Sequence, residues 1–175
     1  KRAKPQENLN IIDSDEDLSP TLINEVKNSE AIENIIKKVL LATENKQYND
    51  VEHYFTDIGF EDYERLLRYG NAKCLPFQNI KMVQLNNEVV IRSFPMQFNF
   101  KNNNRKFIEN VNFTVNSDNK ITKLAFALDQ TTIDGITGKS DKFATNEEKY
   151  QIINFIEDYQ TAYALENLEY LTKVF

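Results

Sequence analysis

The chain has 175 residues, a hydrophobic content of 41% and a formal net charge of −6. This hydrophobic content, with 12 Phe and 8 Tyr, is typical of one packed domain with additional elements and excludes a disordered chain. The acidic balance argues against nucleic-acid binding, and no apolar run approaches the roughly 20 residues of a membrane span. With one cysteine, Cys74, and one histidine, His53, we expect no internal disulfide, no metal and no cofactor.

The first third of the chain predicts a polar lead-in followed by three helices. Residues 1–28 are polar and are interpreted as a lead-in or linker. Their acidic group lacks the glycine and the distal glutamate of a calcium-binding EF-hand loop, which argues against a calcium site. Apolar residues then recur at helical spacing in Ser29–Glu44, and shorter helical patterns follow in Tyr48–Phe55 and Phe60–Tyr69. The Gly-Asn pair after the third pattern is typical of a helix end.

Four consecutive antiparallel strands are predicted between Cys74 and Leu128. Apolar and polar side chains alternate from Glu88 to Phe100 and again from Phe107 to Val115, which is the period of a half-buried strand. Turn-forming residues separate the strands at Asn86-Asn87, Lys101–Asn104 and Asp118-Asn119. The pattern predicts an α+β fold, in which the opening helices pack on a curved four-stranded meander and further helices follow.

The alternation assigns the strand residues to two faces of the sheet. The aromatic face is predicted to face the opening helices and carries Val90, Arg92, Phe94, Met96, Phe98 and Phe100. The second face is predicted to carry Val89, Ile91 and Ile108, with Ala125 and Ala127 nearby. The predicted register sets Val90 opposite Val115, Phe94 opposite Val111 and Phe98 opposite Phe107. It also sets Phe77 opposite Met96 and, across the Asp118-Asn119 turn, it pairs Val115 with Thr122, Phe113 with Leu124 and Val111 with Phe126. A slip of one residue would expose the apolar side chains of one strand to water, which favours this register.

Three charged residues fall on the predicted aromatic face. Arg92 would lie opposite Phe113 with Lys81 on its other side, and Glu109 would lie opposite Met96. A charge facing a core is costly unless it is paired or hydrated. A strand end or bulge that lets these side chains reach water is the favoured interpretation. The other interpretation is a pocket, and it makes Lys81, Arg92 and Glu109 the candidate ligand-binding residues.

The C-terminal part of the chain predicts helices that no sheet follows. A short helical segment spans Gln130–Ile136. Thr145 and Glu148 form a capping box, from which a long helix is predicted to run to about Leu165. Its apolar stripe passes through Tyr150, Ile153, Phe155, Ile156, Tyr159 and Tyr163. A last short helix is predicted over Asn167–Phe175, and we expect residues 145–175 to be docked rather than a free tail.

A displacement of the chain by 120 residues superposes the first helices on the last ones. It aligns Ile36 with Ile156, Ala42 with Ala162 and Phe55 with Phe175 without a gap. The matched apolar positions predict a tandem duplication. The predicted organisation is a linker over residues 1–28, a first domain over 29–140, and the helical start of a second, truncated copy over 141–175.

The opening helices carry the clearest resemblance to a known family. Their pattern appears in the second copy as Phe155, Ile156, Tyr159, Ala162, Leu168, Leu171 and Phe175. With the meander that follows the first copy, it resembles the NTF2-like superfamily, a cone fold shared with SnoaL-like proteins. The phrases RYGNAKCL, RSFPMQFNFKNNNRKFIENVNFTV and KLAFALD look like uncharacterised bacterial cell-envelope proteins with tandem NTF2-like repeats. The resemblance implies a periplasmic or cell-envelope location if a signal segment has been removed.

No catalytic cluster transfers from the enzymes of this superfamily, which use Asp, His and Tyr inside the cone. His53 is expected to face solvent beside Asp57, and Cys74 is expected to be a small buried hydrophobe. Glu109 is the best acid–base candidate but has no visible partner. We therefore predict a non-catalytic module that binds a ligand or a protein partner within a tandem-repeat envelope protein. The alternative is a small-molecule enzyme, an isomerase, dehydratase or hydrolase, that uses a carboxylate in the cone.

The second face of the sheet bears on partners. Its apolar residues would make an exposed patch that is unusual for a monomer. We expect that face to be covered either by a second molecule, in a homodimer, or by the C-terminal helices of the same chain. A small ligand is a further expected partner, and nucleic acid is not.

Overall fold

The computed structural model describes residues 26–100, 106–138 and 145–174. The acidic group of the predicted linker, the predicted turn at Lys101–Asn104 and the Phe175 of the repeat alignment lie outside the described residues. The remainder is an α+β fold in which helices flank one open antiparallel sheet. The predicted fold class is confirmed at this level.

The opening helices lie where the apolar spacing predicts them. Helix α1 spans Ser29–Glu44, a 3₁₀ helix spans Tyr48–Tyr54, and helix α2 spans Asp57–Tyr63 and continues as a π-helical turn over Glu64–Arg68. At the start of α2, a Cβ on Gly59 would lie 2.1 Å from the carbonyl oxygen of Ile121. Only glycine therefore allows α2 to approach the sheet this closely.

The described strands form one five-stranded sheet rather than the predicted four-stranded meander. Strands β1 to β5 span Lys73–Cys74, Lys81–Leu85, Glu88–Phe98, Phe107–Val115 and Ile121–Phe126. Strand β3 pairs with β4 on one side and with both β1 and β2 on the other, and β5 pairs with β4. The predicted first strand is interrupted, since Cys74 instead of Phe77 lies opposite Met96.

A β-bulge in β3 overturns part of the predicted face assignment. Ile91 lies opposite Phe113 and Phe94 lies opposite Val111, so Arg92 and Ser93 together face one residue of β4. Ser93 adopts a positive φ of 64°. The extra residue reverses the alternation. Val89 and Ile91 therefore belong to the same face as Phe94, and Val90 and Arg92 belong to the other. The predicted pairing of Val90 with Val115 was wrong, because Val115 lies opposite Val89.

The register beyond the bulge is as predicted, with Phe98 opposite Phe107 and Val111 opposite Phe126. A second irregularity before Val115 sets that residue opposite Ile121 rather than the predicted Thr122. The core face of the sheet packs against α1, the 3₁₀ helix and α2. It carries Val89, Ile91, Phe94, Met96, Phe98, Val111, Phe113, Leu124 and Phe126, all of them buried.

One of the C-terminal helices lies on the outer face of the sheet, which carries Val90, Arg92, Asn112, Thr114, Lys123 and Ala125. Helix α3 spans Gln130–Thr137, α4 spans Asn146–Ala164 and α5 spans Leu168–Val174. The hydroxyl of Thr145 accepts the backbone N–H of Glu148, as the capping box predicts. Buried Tyr150 of α4 packs on Val83 of β2, and buried Ile153 packs on Leu128, just beyond β5, and on Ile133 of α3. Phe155 and Tyr163 of the predicted stripe are exposed.

Candidate functional site

The most unusual feature of the described residues is a charged pair buried between α4 and the outer face. The side chains of Arg92 on β3 and Glu157 on α4 are 0% and 1% exposed. Buried charges are rare in proteins and occur where they are paired and hydrogen-bonded. The pair is therefore stable only if hydrogen bonds replace the lost water.

Each oxygen of the Glu157 carboxylate accepts two N–H groups. Oε1 accepts Arg92 Nη2 at 2.7 Å and the backbone N–H of Leu128 at 2.8 Å. Oε2 accepts the side-chain amide of Asn112 at 2.8 Å and Arg92 Nη1 at 3.4 Å. Four donors on three segments of the chain thus compensate the loss of water around the carboxylate.

The bulge in β3 and the buried pair are parts of one arrangement. The Oδ1 atom of Asn112 accepts the backbone N–H of Ser93 at 2.9 Å, while its Nδ2 atom donates to Glu157. Arg92 lies beside the ring of Tyr150, with 6.0 Å between the guanidinium carbon and the ring centroid. Among the described residues, Arg92 Nε finds no acceptor. The bulge therefore turns the guanidinium towards α4, and Asn112 links the bulge to the carboxylate.

Side chains also satisfy the outward edge of β5, which has no neighbouring strand in the described sheet. The N–H of Leu124 donates to Asp62, the N–H of Phe126 donates to the hydroxyl of Thr161, and the N–H just beyond the strand, on Leu128, donates to Glu157. Thr161 in turn donates to the carbonyl oxygen of Glu157, one helical turn earlier. Helices α2 and α4 thus supply the acceptors that a further strand would otherwise supply.

A second group of charges lies at the junction of α2, β5 and α4. Lys123 donates to Asp158 at 2.7 Å. Burial raises the pKa of Asp62 to about 6 against the lowering effect of the Leu124 N–H, and the charge of Asp158 raises it further. Burial also raises the pKa of Asp158, although Lys123 opposes this shift. The cleft beside these carboxylates has a volume of about 60 Å³, which is room for about two water molecules.

The structure brings together two of the three residues that the sequence suggests for ligand binding. Lys81 and Arg92 are cross-strand neighbours in β2 and β3. Glu109 lies opposite Met96 as predicted, but it alternates with Phe107 and Val111 and so falls on the core-face side, at the exposed end of β4. Burial and the charge of Asp129 raise the pKa of the Glu109 carboxyl. Glu109 and Arg92 therefore lie on opposite sides of the sheet.

The two residues considered as nucleophile or base occupy unremarkable positions. His53 is exposed and its ring lies beside that of Tyr54, with 3.9 Å between the centroids and a tilt of 43° between the ring planes. Cys74 is half-buried, and burial raises the pKa of its thiol to about 11. Only a vanishing fraction of such a thiol is thiolate at neutral pH, and the thiolate is the nucleophile.

Sequence reasoning missed Asn112, Glu157 and Thr161. Asn112 lies at a polar position of an alternating strand, and this alternation predicts that its side chain faces solvent. Glu157 and Thr161 are four residues apart on α4, with Tyr150 and Ile153 on the same side. Glu157 and Thr161 therefore lie in line with the apolar residues of this side. Their position was the only feature of the sequence that indicated a buried polar contact.

The described residues contain no group of three or more His, Cys, Asp or Glu side chains placed to hold a metal ion. Within the same ranges, no helix is long and apolar enough to cross a membrane. The fold and the site thus define an α+β protein whose antiparallel sheet lies between two helical layers, one of them held by a buried ion pair. No family model, curated protein sequence or solved structure matches the chain.

Proposed function

We propose that the chain is a non-catalytic NTF2-like module for partner binding in a tandem-repeat protein, and that α4 and α5 open the next module. The displacement of 120 residues aligns α1 with α4. Helix α1 buries one side against the core face of its sheet. In a tandem repeat, the aligned side of α4 packs in the same way against the core face of a second sheet.

The observation that carries the proposal is that α1 and α4 bury different sides. The buried residues Ile32, Ile36, Val39 and Thr43 of α1 align with Ile152, Ile156, Tyr159 and Tyr163, of which none is fully buried. Buried Leu40 aligns with Gln160, which is exposed and polar. The buried residues Tyr150, Ile153, Glu157 and Thr161 of α4 align with Glu30, Glu33, Lys37 and Leu41, of which none is fully buried either. The alanine pair Ala42 and Ala162 is the exception, because both alanines are buried.

Helix α4 therefore docks on the first sheet with the side that the repeat does not use. This leaves an exposed stripe, which we define as Ile152, Phe155 and Tyr163, with exposures of 38%, 51% and 71%. A helix with apolar residues on two sides fits a position between two sheets. The partner that we propose for the stripe is the apolar face of a neighbouring NTF2-like sheet, in the next repeat or in a second copy of this chain. The bacterial cell-envelope setting rests on the sequence resemblance.

The stripe can be tested with the double substitution Phe155→Ser and Tyr163→Ser. If the stripe is a docking surface, the parent chain binds a hydrophobic dye and self-associates in sedimentation velocity, and the double variant loses both properties at an unchanged melting temperature. The matched control is Leu41→Ser with Ile58→Ser, since these side chains are 61% and 71% exposed elsewhere. Equal dye binding and equal sedimentation of the parent, the variant and the control would contradict the proposal.

The second candidate function, a small-molecule enzyme, has one observation in its favour. Asp62, with its pKa raised to about 6 by burial, lies near a second carboxylate in a cleft, and shifted pKa values of this kind occur at catalytic sites. The test is hydrolysis of 4-nitrophenyl acetate across pH. A rate that rises through about pH 6 and is lost in Asp62→Asn but kept in Glu61→Gln would favour this candidate. A rate that is the same in all three chains would remove it.

A further inference from the structure

A cleft of about 480 Å³ shares no lining residue with the buried pair and plays no part in the function proposed above. Its walls come from the turn after α1, the start of the 3₁₀ helix, the end of the π-helical turn and the end of β3. The side chains that matter here are Lys46, Tyr48, Arg68, Tyr69 and Phe100. The volume falls within the roughly 300–1,000 Å³ of sites that bind small molecules.

The charge of this cleft is opposite to that of the chain. The chain carries a formal net charge of −6, yet the lining residues include two cations, Lys46 and Arg68, and no carboxylate. Arg68 Nη1 donates to Glu64 at 2.6 Å. A guanidinium has five N–H donors, so Nη2 and Nε are left for a ligand. Lys46 has no carboxylate partner among the described residues, and the cleft therefore offers an uncompensated positive charge.

The second component of the cleft is aromatic. The guanidinium of Arg68 lies 5.5 Å from the centroid of the Tyr48 ring, which fixes its orientation. Phe100 stacks on Phe98 with 5.9 Å between the centroids. Tyr69 is 58% exposed. A flat ligand ring can stack on such side chains while its charged group reaches the cations.

The backbone holds these groups in place by unusual means. The π-helical turn ends with the N–H of Tyr69 donating to the carbonyl of Glu64, five residues earlier, and such turns occur often at functional sites. Lys46 and Asn71 both adopt positive φ angles, of 59° and 44°. A Cβ on Gly70 would lie 2.2 Å from the carbonyl oxygen of Leu66 and 2.8 Å from the Phe98 ring, so glycine is required where this turn approaches Phe98.

We propose that this cleft binds a small organic anion in which a phosphate or carboxylate is joined to a flat ring. Lys46 and Arg68 hold the anionic group through charge-assisted hydrogen bonds. Tyr48, Tyr69 and Phe100 contact the ring. The two requirements can be separated, because an anion without a ring and a ring without a charge each satisfy only one of them.

The test is a titration of the ¹⁵N-labelled protein with phenyl phosphate, followed by amide chemical shifts. We expect saturable shifts at Tyr69 and Asn71, with inorganic phosphate and benzyl alcohol each at least about tenfold weaker. Lys46→Gln and Arg68→Gln should each weaken phenyl phosphate binding about tenfold, because each removes one charge-assisted contact. Tyrosine fluorescence gives an independent signal, since the chain has no Trp.

Lys37→Gln is the matched control, because it removes an exposed cation on α1 outside the cleft. Lys46 is itself exposed, so its substitution tests the site even if Arg68→Gln lowers the melting temperature. The proposal is overturned if no saturable shift appears, if the shifts map elsewhere, or if Lys37→Gln weakens binding as much as Lys46→Gln.

Discussion

The two faces of the sheet are held by different kinds of contact. The core face meets α1 and α2 through aliphatic and aromatic side chains, among them Phe113, which contacts Phe94 in an edge-to-face pair at 5.6 Å. The outer face meets α4 through a buried ion pair, an amide and two backbone N–H groups, in addition to the contact of Tyr150 with Val83. Apolar contacts tolerate some sliding, whereas each polar group requires one partner at one distance. The core face therefore supplies most of the stability, and the outer face fixes where α4 lies.

The largest expected effect comes from the core face. Phe113→Ala removes a fully buried ring and should lower the free energy of unfolding by about 3–5 kcal/mol. Urea denaturation followed by circular dichroism measures the loss. The control is Ile108→Ala on the same strand, where the side chain is 62% exposed and the expected change is within about 0.5 kcal/mol. A loss below about 1 kcal/mol for Phe113→Ala would show that the face assignment is wrong.

The next effect concerns the buried pair. Glu157→Gln leaves the Arg92 guanidinium buried without a counter-charge and should cost about 3 kcal/mol, because undocking of α4 limits the penalty. Adding Arg92→Met removes the unpaired charge and should recover at least half of that loss. The same denaturation series measures both variants. No recovery in the double variant would mean that the charge of Arg92 is hydrated rather than buried.

Lys123→Met is the matched control for that pair. Its partner Asp158 is also on α4, but the Lys123 side chain is 32% exposed. Water screens such a pair, and its loss should cost no more than about 1 kcal/mol. If Lys123→Met costs as much as Glu157→Gln, burial does not distinguish the two ion pairs.

The smallest effect is a pH dependence at the junction of α2 and α4. The folded chain binds the Asp62 proton more tightly than the unfolded chain, because burial raises the Asp62 pKa from 3.8 to about 6. The free energy of unfolding should therefore fall as pH rises from about 4 to about 6, and then stay lower. After allowance for solvent screening, we expect the free energy of unfolding of Asp62→Asn to exceed that of the parent by about 1 kcal/mol at pH 7. At pH 4 we expect the two values to be equal.

Thermal melts from pH 4 to pH 8 measure this dependence. Glu61→Gln on the same helix is the control, since Glu61 is exposed. It should follow the parent across the whole range. An Asp62→Asn curve that runs parallel to the parent would show that Asp62 titrates in the folded chain as it does in the unfolded one.

The sequence predicted those elements whose signals are local. The helix over Ser29–Glu44, the cap at Thr145 and the pairing of Phe113 with Leu124 follow from spacing and turn residues within a few positions. The bulge was not predicted, because neither Arg92 nor Ser93 is a glycine that would indicate a positive φ. The side chain that stabilises the bulge, Asn112, is also distant in sequence. One inserted residue then reversed the predicted faces of Val89, Val90, Ile91 and Arg92.

The candidate site was harder to predict than the fold. Helix α4 has apolar residues on two sides, and the periodicity does not say which side docks. The choice depends on Glu157 meeting Arg92 across 65 positions of the chain, a pairing that no local pattern encodes. Lys81 and Arg92 were found together because one predicted turn, at Asn86-Asn87, connects their strands.

The acceptors along the outward edge of β5 have a consequence for solubility. An exposed strand edge is a template on which another molecule can add a strand, and natural proteins usually protect it with lysine, proline or a short strand. Here Asp62, Thr161 and Glu157 occupy the outward N–H groups of Leu124, Phe126 and Leu128, so the protection comes from helices packed beside the strand. Resistance to edge-to-edge aggregation therefore depends on the docked position of α4. A variant that releases this helix leaves the edge of β5 open to pairing with another molecule while the rest of the domain is still folded.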